Sequence, residues 1–175
     1  FRIADTFEDA TQWDGERRLR ALEGFVGLLD DPDIDRARAL GAGWAREVPI
    51  AHPGYLELLR ETPAVLREFL ALSADARGII TEHSLRTARG MASYVESTSG
   101  GVLRLRDLDD LRRYCYVVAG IVGELSTELF LLGRPALAGV ATELRAWAPP
   151  FGEALQLVNI VKDSSFDTNE GRCYL

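Results

Sequence analysis

Cysteine, histidine and basic charge are all scarce in this sequence. Two cysteines, Cys115 and Cys173, and two histidines, His52 and His83, are spread over 175 residues. With no histidine near either thiol, a disulfide-stapled fold and a structural zinc site are excluded. The thiols read as reduced and core-filling. The histidines sit in different segments with no partner at ligand spacing, so each reads as a surface or packing residue. A formal net charge of −7 leaves no basic surface for a nucleic-acid partner. No clean membrane-spanning run is present either. The longest apolar stretch, YVVAGIVGELSTELFLLG, is broken by Glu124 and Glu128. The opening FRIA is too short for a secretory h-region, so a cytoplasmic location is expected. Sustained alternation of period two is absent, as are internal repeats and low-complexity tracts.

What is present is helical periodicity. A helix is expected from about Asp14 to the residue before Pro32, and a short one over DIDRARALGAGWARE. YLELLRETPAVLREFLALS gives two helical stretches interrupted at Pro63. A longer helix covers ADARGIITEHSLRTARGMASYVE, and STSGG reads as a loop. Asp107 can cap one further helix running through LDDLRRYCYVVAGIVGELSTELFLL, which GRPA ends. An amphipathic segment, ALAGVATELRAWAPP, precedes the last helical stretch, ALQLVNIVKDSSFD. The expectation is one all-α domain.

Three local patterns carry chemistry. In DTFED, Asp5 and Asp9 are four residues apart and so differ by only about 40° around a helix, with Glu8 beside them. Asp163 and Asp167 repeat that spacing, and their stripe continues back through Asn159 and Gln156 into apolar sequence. Like charges at this spacing repel by about 0.2–0.5 kcal/mol per pair. A solvated face tolerates that, and DTFED alone reads as one. A polar stripe on a helix expected to be buried needs a counter-charge. Mg²⁺ would supply it, since it takes oxygen ligands from one or two carboxylates plus phosphates and water. In the third pattern, YCYVVAGIVG, Tyr114, Val118 and Val122 fall at helical steps among Ala119, Gly120 and Gly123. Small residues there permit close helix packing or an open apolar channel.

Together these residues resemble the squalene and phytoene synthases. RIADTFED resembles their first aspartate-rich motif, and YCYVVAGIVG their tyrosine-bearing helix. FGEALQLVNIVKD, with Asp167 and EGRCYL, resembles their second aspartate-rich motif and the basic turn after it. All three occur in family order and span nearly the whole chain. The resemblance implies an all-α isoprenoid synthase bundle around a central cavity. It also implies Mg²⁺-dependent, head-to-head joining of two prenyl diphosphates through a cyclopropyl intermediate. By position, Asp5, Glu8, Asp9, Asn159, Asp163 and Asp167 would hold Mg²⁺ and diphosphate. Arg2, Lys162 and Arg172 would contact diphosphate, and Tyr114 would handle a proton in the first half-reaction. Val118, Val122, Leu155 and Gln156 would line the prenyl pocket.

DTFED leans toward squalene synthesis from farnesyl diphosphate, which would also require NADPH. An apolar product leaves room for peripheral contact with a membrane. Phe166 stands where an acidic residue is usual in squalene synthases, Lys162 where Arg is usual, and Ser164–Ser165 replace an aromatic or aliphatic pair. The family's helix before the first motif and its helices after the second are expected to be missing from these 175 residues. Three other readings stay open: a phytoene synthase using geranylgeranyl diphosphate, a class I terpene cyclase acting on one diphosphate, and a non-catalytic family member acting as a binding subunit.

Overall fold

Helix caps set most of the architecture. The computed structural model describes residues 1–10, 12–98, 103–169 and 172–173, with side chains described up to residue 162. Helix α1 is Arg2–Glu8 and α2 is Gly15–Asp30, which starts where the Asp14 carboxylate accepts the Arg17 backbone N–H at 2.7 Å. Asp33 caps α3, Ile34–Arg46, in the same way. Pro53 opens α4, Pro53–Arg60, and Pro63 lies in the first turn of α5, Thr62–Ala71. The break therefore falls at Glu61 and not at Pro63, because an early proline gives up only an N–H that has no helical partner. Ser73 caps the long α6, Ala74–Ser97.

The stretch after Asp107 departs from the expected single helix. Asp107 does cap it, accepting the Asp110 N–H at 2.8 Å. It runs as α7, Leu108–Cys115, then a π turn over Tyr116–Gly120, then α8, Ile121–Leu131. The Ile121 N–H reaches back five residues to the Tyr116 carbonyl, the mark of the wider turn. By length and composition Leu108–Leu131 would pass for a membrane span. Glu124 within it is ion-paired with Arg86, and it contacts α6 and α9.

A 3₁₀ turn over Pro135–Val140 leads into α9, Ala141–Asn169. Pro149 and Pro150 lie inside α9 without ending it, although each lacks the N–H an interior position normally donates. A two-residue parallel bridge, β1 (Leu103–Arg104) with β2 (Arg172–Cys173), is the small exception to the all-α pattern among the described residues.

The core forms around α1, α2 and α6. Phe7 is fully buried, stacked near Trp13 with centroids 6.1 Å apart and tilted on Trp44 at 4.7 Å. Ile3, Phe7 and Ala10 are buried in this cluster. Positions two residues on are turned by about 200°, so burying Ile3 and Phe7 turns Asp5 and Asp9 the other way. The α8–α9 crossing depends on small residues. A Cβ on Gly123 would lie 2.2 Å from the Ala148 carbonyl oxygen, and one on Gly152 would lie 2.3 Å from that of Ala119. Gly123 and the segment around Gly120 thus serve close packing.

Helix α9 is less buried than its composition led one to expect. Leu155, Val158 and Val161 are 53, 63 and 73% exposed. Helix α9 packs on α7, the π turn and α8, with further contacts to the 3₁₀ turn and to β2.

Candidate functional site

The face of α1 carrying Asp5 and Asp9 opens onto a cavity of about 950 Å³ between α1, α6, α7, α8 and α9. Arg2, Asp5, Glu8, Asp9, Tyr114, Val118, Val122, Leu155, Gln156 and Asn159 all line it. Of the residues singled out from sequence, Lys162 is the exception with a described side chain. It is exposed on α9 and is not among the residues that line the cavity. Asp163 and Asp167 lie on the backbone of α9. Their side chains, with those of Phe166 and Arg172, are outside the described residues.

The cavity has two ends. An ion pair between Arg145 and Glu128, at 2.6 Å, ties the start of α9 to the end of α8. The Gly123–Ala148 and Gly152–Ala119 approaches continue that antiparallel register. Tyr114 and Asn159 therefore sit at one end, and Phe130 and Leu144 at the other. Sixteen residues separate Tyr114 from Phe130, or roughly 24 Å at the helical rise. The first end holds carboxylates, an amide and a guanidinium. The walls toward the second carry Val118, Val122, Phe151 and Leu155.

At the polar end Arg2 pairs with Asp5, one turn along α1, and its guanidinium sits 5.3 Å from the Tyr55 ring. Glu8 is not on a solvated face. It is 8% exposed, and its Oε1 accepts a hydrogen bond from the Tyr114 hydroxyl at 3.3 Å. Arg18, also buried, donates to the Glu8 carbonyl at 3.0 Å and so fixes the end of α1. Tyr94 packs edge-on to Tyr114, with centroids 5.1 Å apart and rings at 89°. The Tyr114 phenol is thus held from the side by an aromatic ring and at its tip by a carboxylate.

The arrangement suits a hard cation and an anionic group better than a soft metal. Among the described residues the donors at the polar end are carboxylate and amide oxygens, with no thiol or imidazole. Among the described residues no three His, Cys, Asp or Glu side chains gather for a metal ion. Mg²⁺ does not need three, since it is usually held by one or two carboxylates together with phosphate oxygens and water. His83 is a buried packing residue on α6, with Nδ1 2.8 Å from the Ile79 carbonyl, and His52 is exposed with its ring tilted against Tyr55.

Sequence reading missed the far walls. Ser126 and Phe130 follow Val122 at steps of four, and Phe151, Ala148 and Leu144 precede Leu155 at steps of four, three and four. Extending each stripe by helical steps would have reached them.

Comparison with known proteins agrees with this geometry. The sequence model described as "Squalene/phytoene synthase" matches residues 1–175. The chain is 31% identical over 176 aligned residues to a squalene synthase of Mycosarcoma maydis, covering 99% of this chain and 28% of that protein. It is 33% identical over 174 residues to a squalene synthase of Gibberella zeae, covering 98% of this chain and 34% of that one. A squalene synthase of Botryococcus braunii matches at 27% identity over 97% of this chain. The chain spans about a third of the length of these curated relatives.

Proposed function

This chain belongs to the squalene/phytoene synthase family, and we propose on that premise that it forms the catalytic cavity of a prenyltransferase joining two prenyl diphosphates head-to-head. The observation that carries the proposal is that one cavity joins two kinds of wall. It sets the acidic face of α1, Tyr114 and Asn159 at one end of a long apolar wall. An anionic headgroup fits the first part and a hydrocarbon tail the second.

Asp5, Asp9 and Asn159, with Asp163 and Asp167 further along α9, would hold Mg²⁺. When bound, it offsets the negative charge that builds on a departing diphosphate. Arg2, paired with Asp5 and set against the Tyr55 ring, would meet the same oxygens. Arg172 would join it. Tyr114 is the proton-handling group. Glu8 accepts its hydrogen bond, which sets the direction of the hydroxyl and favours a proton leaving or returning along that line. Val118, Val122, Leu155 and the aliphatic part of Gln156 keep water from the allylic cation left behind. The acidic set and the relatives both favour the squalene type, with farnesyl diphosphate as substrate and NADPH for the reductive half. A phytoene-type product, a cyclised single prenyl unit, or no reaction at all would each select a different reading.

The test is incubation with Mg²⁺ and farnesyl or geranylgeranyl diphosphate, with and without NADPH, and products identified by mass. A thirty-carbon hydrocarbon or its cyclopropyl diphosphate precursor is expected from farnesyl diphosphate. In Tyr114→Phe, protection of the substrate-bound protein against heat should persist while product is lost. Wild-type product formation by that variant would remove Tyr114 from the mechanism.

A further inference from the structure

The π turn decides which side chains face the cavity. In an uninterrupted α-helix, Tyr114 and Phe130 would point about 160° apart, because each step of four residues drifts by about 40°. Both nevertheless line the same cavity. A π turn winds more slowly, so five residues in it take back much of that drift. Tyr114 before the turn and Val122 and Phe130 after it then share one wall.

Such a turn has to be held, and α6 holds it at three successive points. The Thr87 hydroxyl, fully buried, donates to the Val117 carbonyl inside the turn at 3.2 Å. Arg86 donates one guanidinium N–H to the Tyr116 hydroxyl and another to Glu124 Oε2, at 2.7 Å for the latter. Tyr116 closes the triangle by donating to Glu124 Oε1 at 2.9 Å. Tyr116 opens the turn and Glu124 lies just after it, so the triangle clamps both ends. Gly90, one turn beyond Arg86, leaves room for the Val117 side chain, since a Cβ there would be 2.6 Å from Val117 Cγ1. Burial first, and then Glu124, push the Tyr116 phenol above its ordinary pKa. None of these four polar side chains lines the cavity.

We propose that Arg86, Thr87, Tyr116 and Glu124 are positioning residues. They keep the π turn wound and thereby keep the tail-binding wall in register with Tyr114. The inference rests on the prenyltransferase reading for its catalytic consequence and on the geometry alone for its structural one.

Amide hydrogen exchange over residues 116–124, followed by mass spectrometry, tests it without reference to activity. Tyr116→Phe and Glu124→Gln should each raise exchange there by about tenfold, as expected for a lost, partly buried hydrogen bond, with α2 unchanged. Thr87→Val, nearly the same shape, provides a second route should either variant fold poorly. In turnover assays the same variants should lower kcat/KM for the prenyl diphosphate while inhibition by inorganic pyrophosphate stays at the wild-type level. The headgroup end on α1 is not on the turn. Unchanged exchange at 116–124 would overturn the proposal. So would a rise shared equally by α2, or pyrophosphate inhibition lost in step with activity. If the wild type turns over no prenyl diphosphate, the functional reading fails, and the exchange result still decides whether these residues hold the turn.

Discussion

Replacing Gly123 with alanine sets the close α8–α9 packing against the space available. The added Cβ would lie 2.2 Å from the Ala148 carbonyl oxygen, a backbone atom that cannot rotate away. Ordinary contact begins near 3.4 Å, so the helices must part by about 1 Å. Overpacking of this kind costs about 1–3 kcal/mol. For a domain of this size each kcal/mol lowers Tm by about 2–4 °C, so a fall of about 2–12 °C is expected in thermal unfolding. Gly78→Ala in α6 is the matched control. Nothing lies within 4 Å of its added Cβ, and the helix should gain about 0.4–1 kcal/mol. Gly152→Ala strikes the Ala119 carbonyl oxygen on the same interface. Once the helices have parted for one substitution, the second should cost less than it does alone. If Gly123→Ala melted at or above the wild-type temperature, the close crossing, and with it the cavity wall it defines, would be wrong.

Other outcomes follow from single groups. Arg106, through its side chain and backbone N–H, and then Arg113 hold the Asp110 carboxylate well below its ordinary pKa. The unfolded chain therefore binds the extra proton first. This part of the stability is fully present above the ordinary carboxylate pKa and is lost progressively as pH falls below it toward the lower folded-state value. Tm measured from about pH 6 down to pH 3 should fall less steeply in Asp110→Asn than in the wild type, and parallel curves would refute the assignment. Cys115 is fully buried, and burial pushes its thiol up to about 11. Mapping of thiol alkylation at pH 8 should find Cys115 unmodified until the protein unfolds. Rapid labelling in the native state would contradict its burial.

Sequence and structure agree where local chemistry decides. Asp14, Asp33 and Asp107 mark helix starts because a capping carboxylate acts on an N–H three residues away. The acidic face of α1 was legible because burying Ile3 and Phe7 leaves Asp5 and Asp9 one direction to face. The π turn was not legible. The segment LDDLRRYCYVVAGIVGELSTELFLL reads as one helix, and the contacts that rewind it come from Arg86 and Thr87, some thirty residues away in sequence. The hydrogen bond between Glu8 and Tyr114 joins residues 106 apart, which no spacing rule reaches. Lys162 is reached by motif position alone, and its exposed side chain on α9 is not among those lining the cavity. The exposed side of that helix shows the same limit, since apolar periodicity says which residues can be buried and not what is there to bury them.

Diphosphate release by the wild type and by Asp5→Asn, with and without Mg²⁺, reads the proposed chemistry at its source. Asp5 lies at the headgroup end of the cavity, and its replacement by asparagine keeps the shape while removing the charge. Release from farnesyl diphosphate should require Mg²⁺ and fall by about a hundredfold or more in Asp5→Asn, with Tm changed little. Release at the wild-type rate in that variant, or equal release without Mg²⁺, would contradict a metal-assisted prenyl transfer in this cavity.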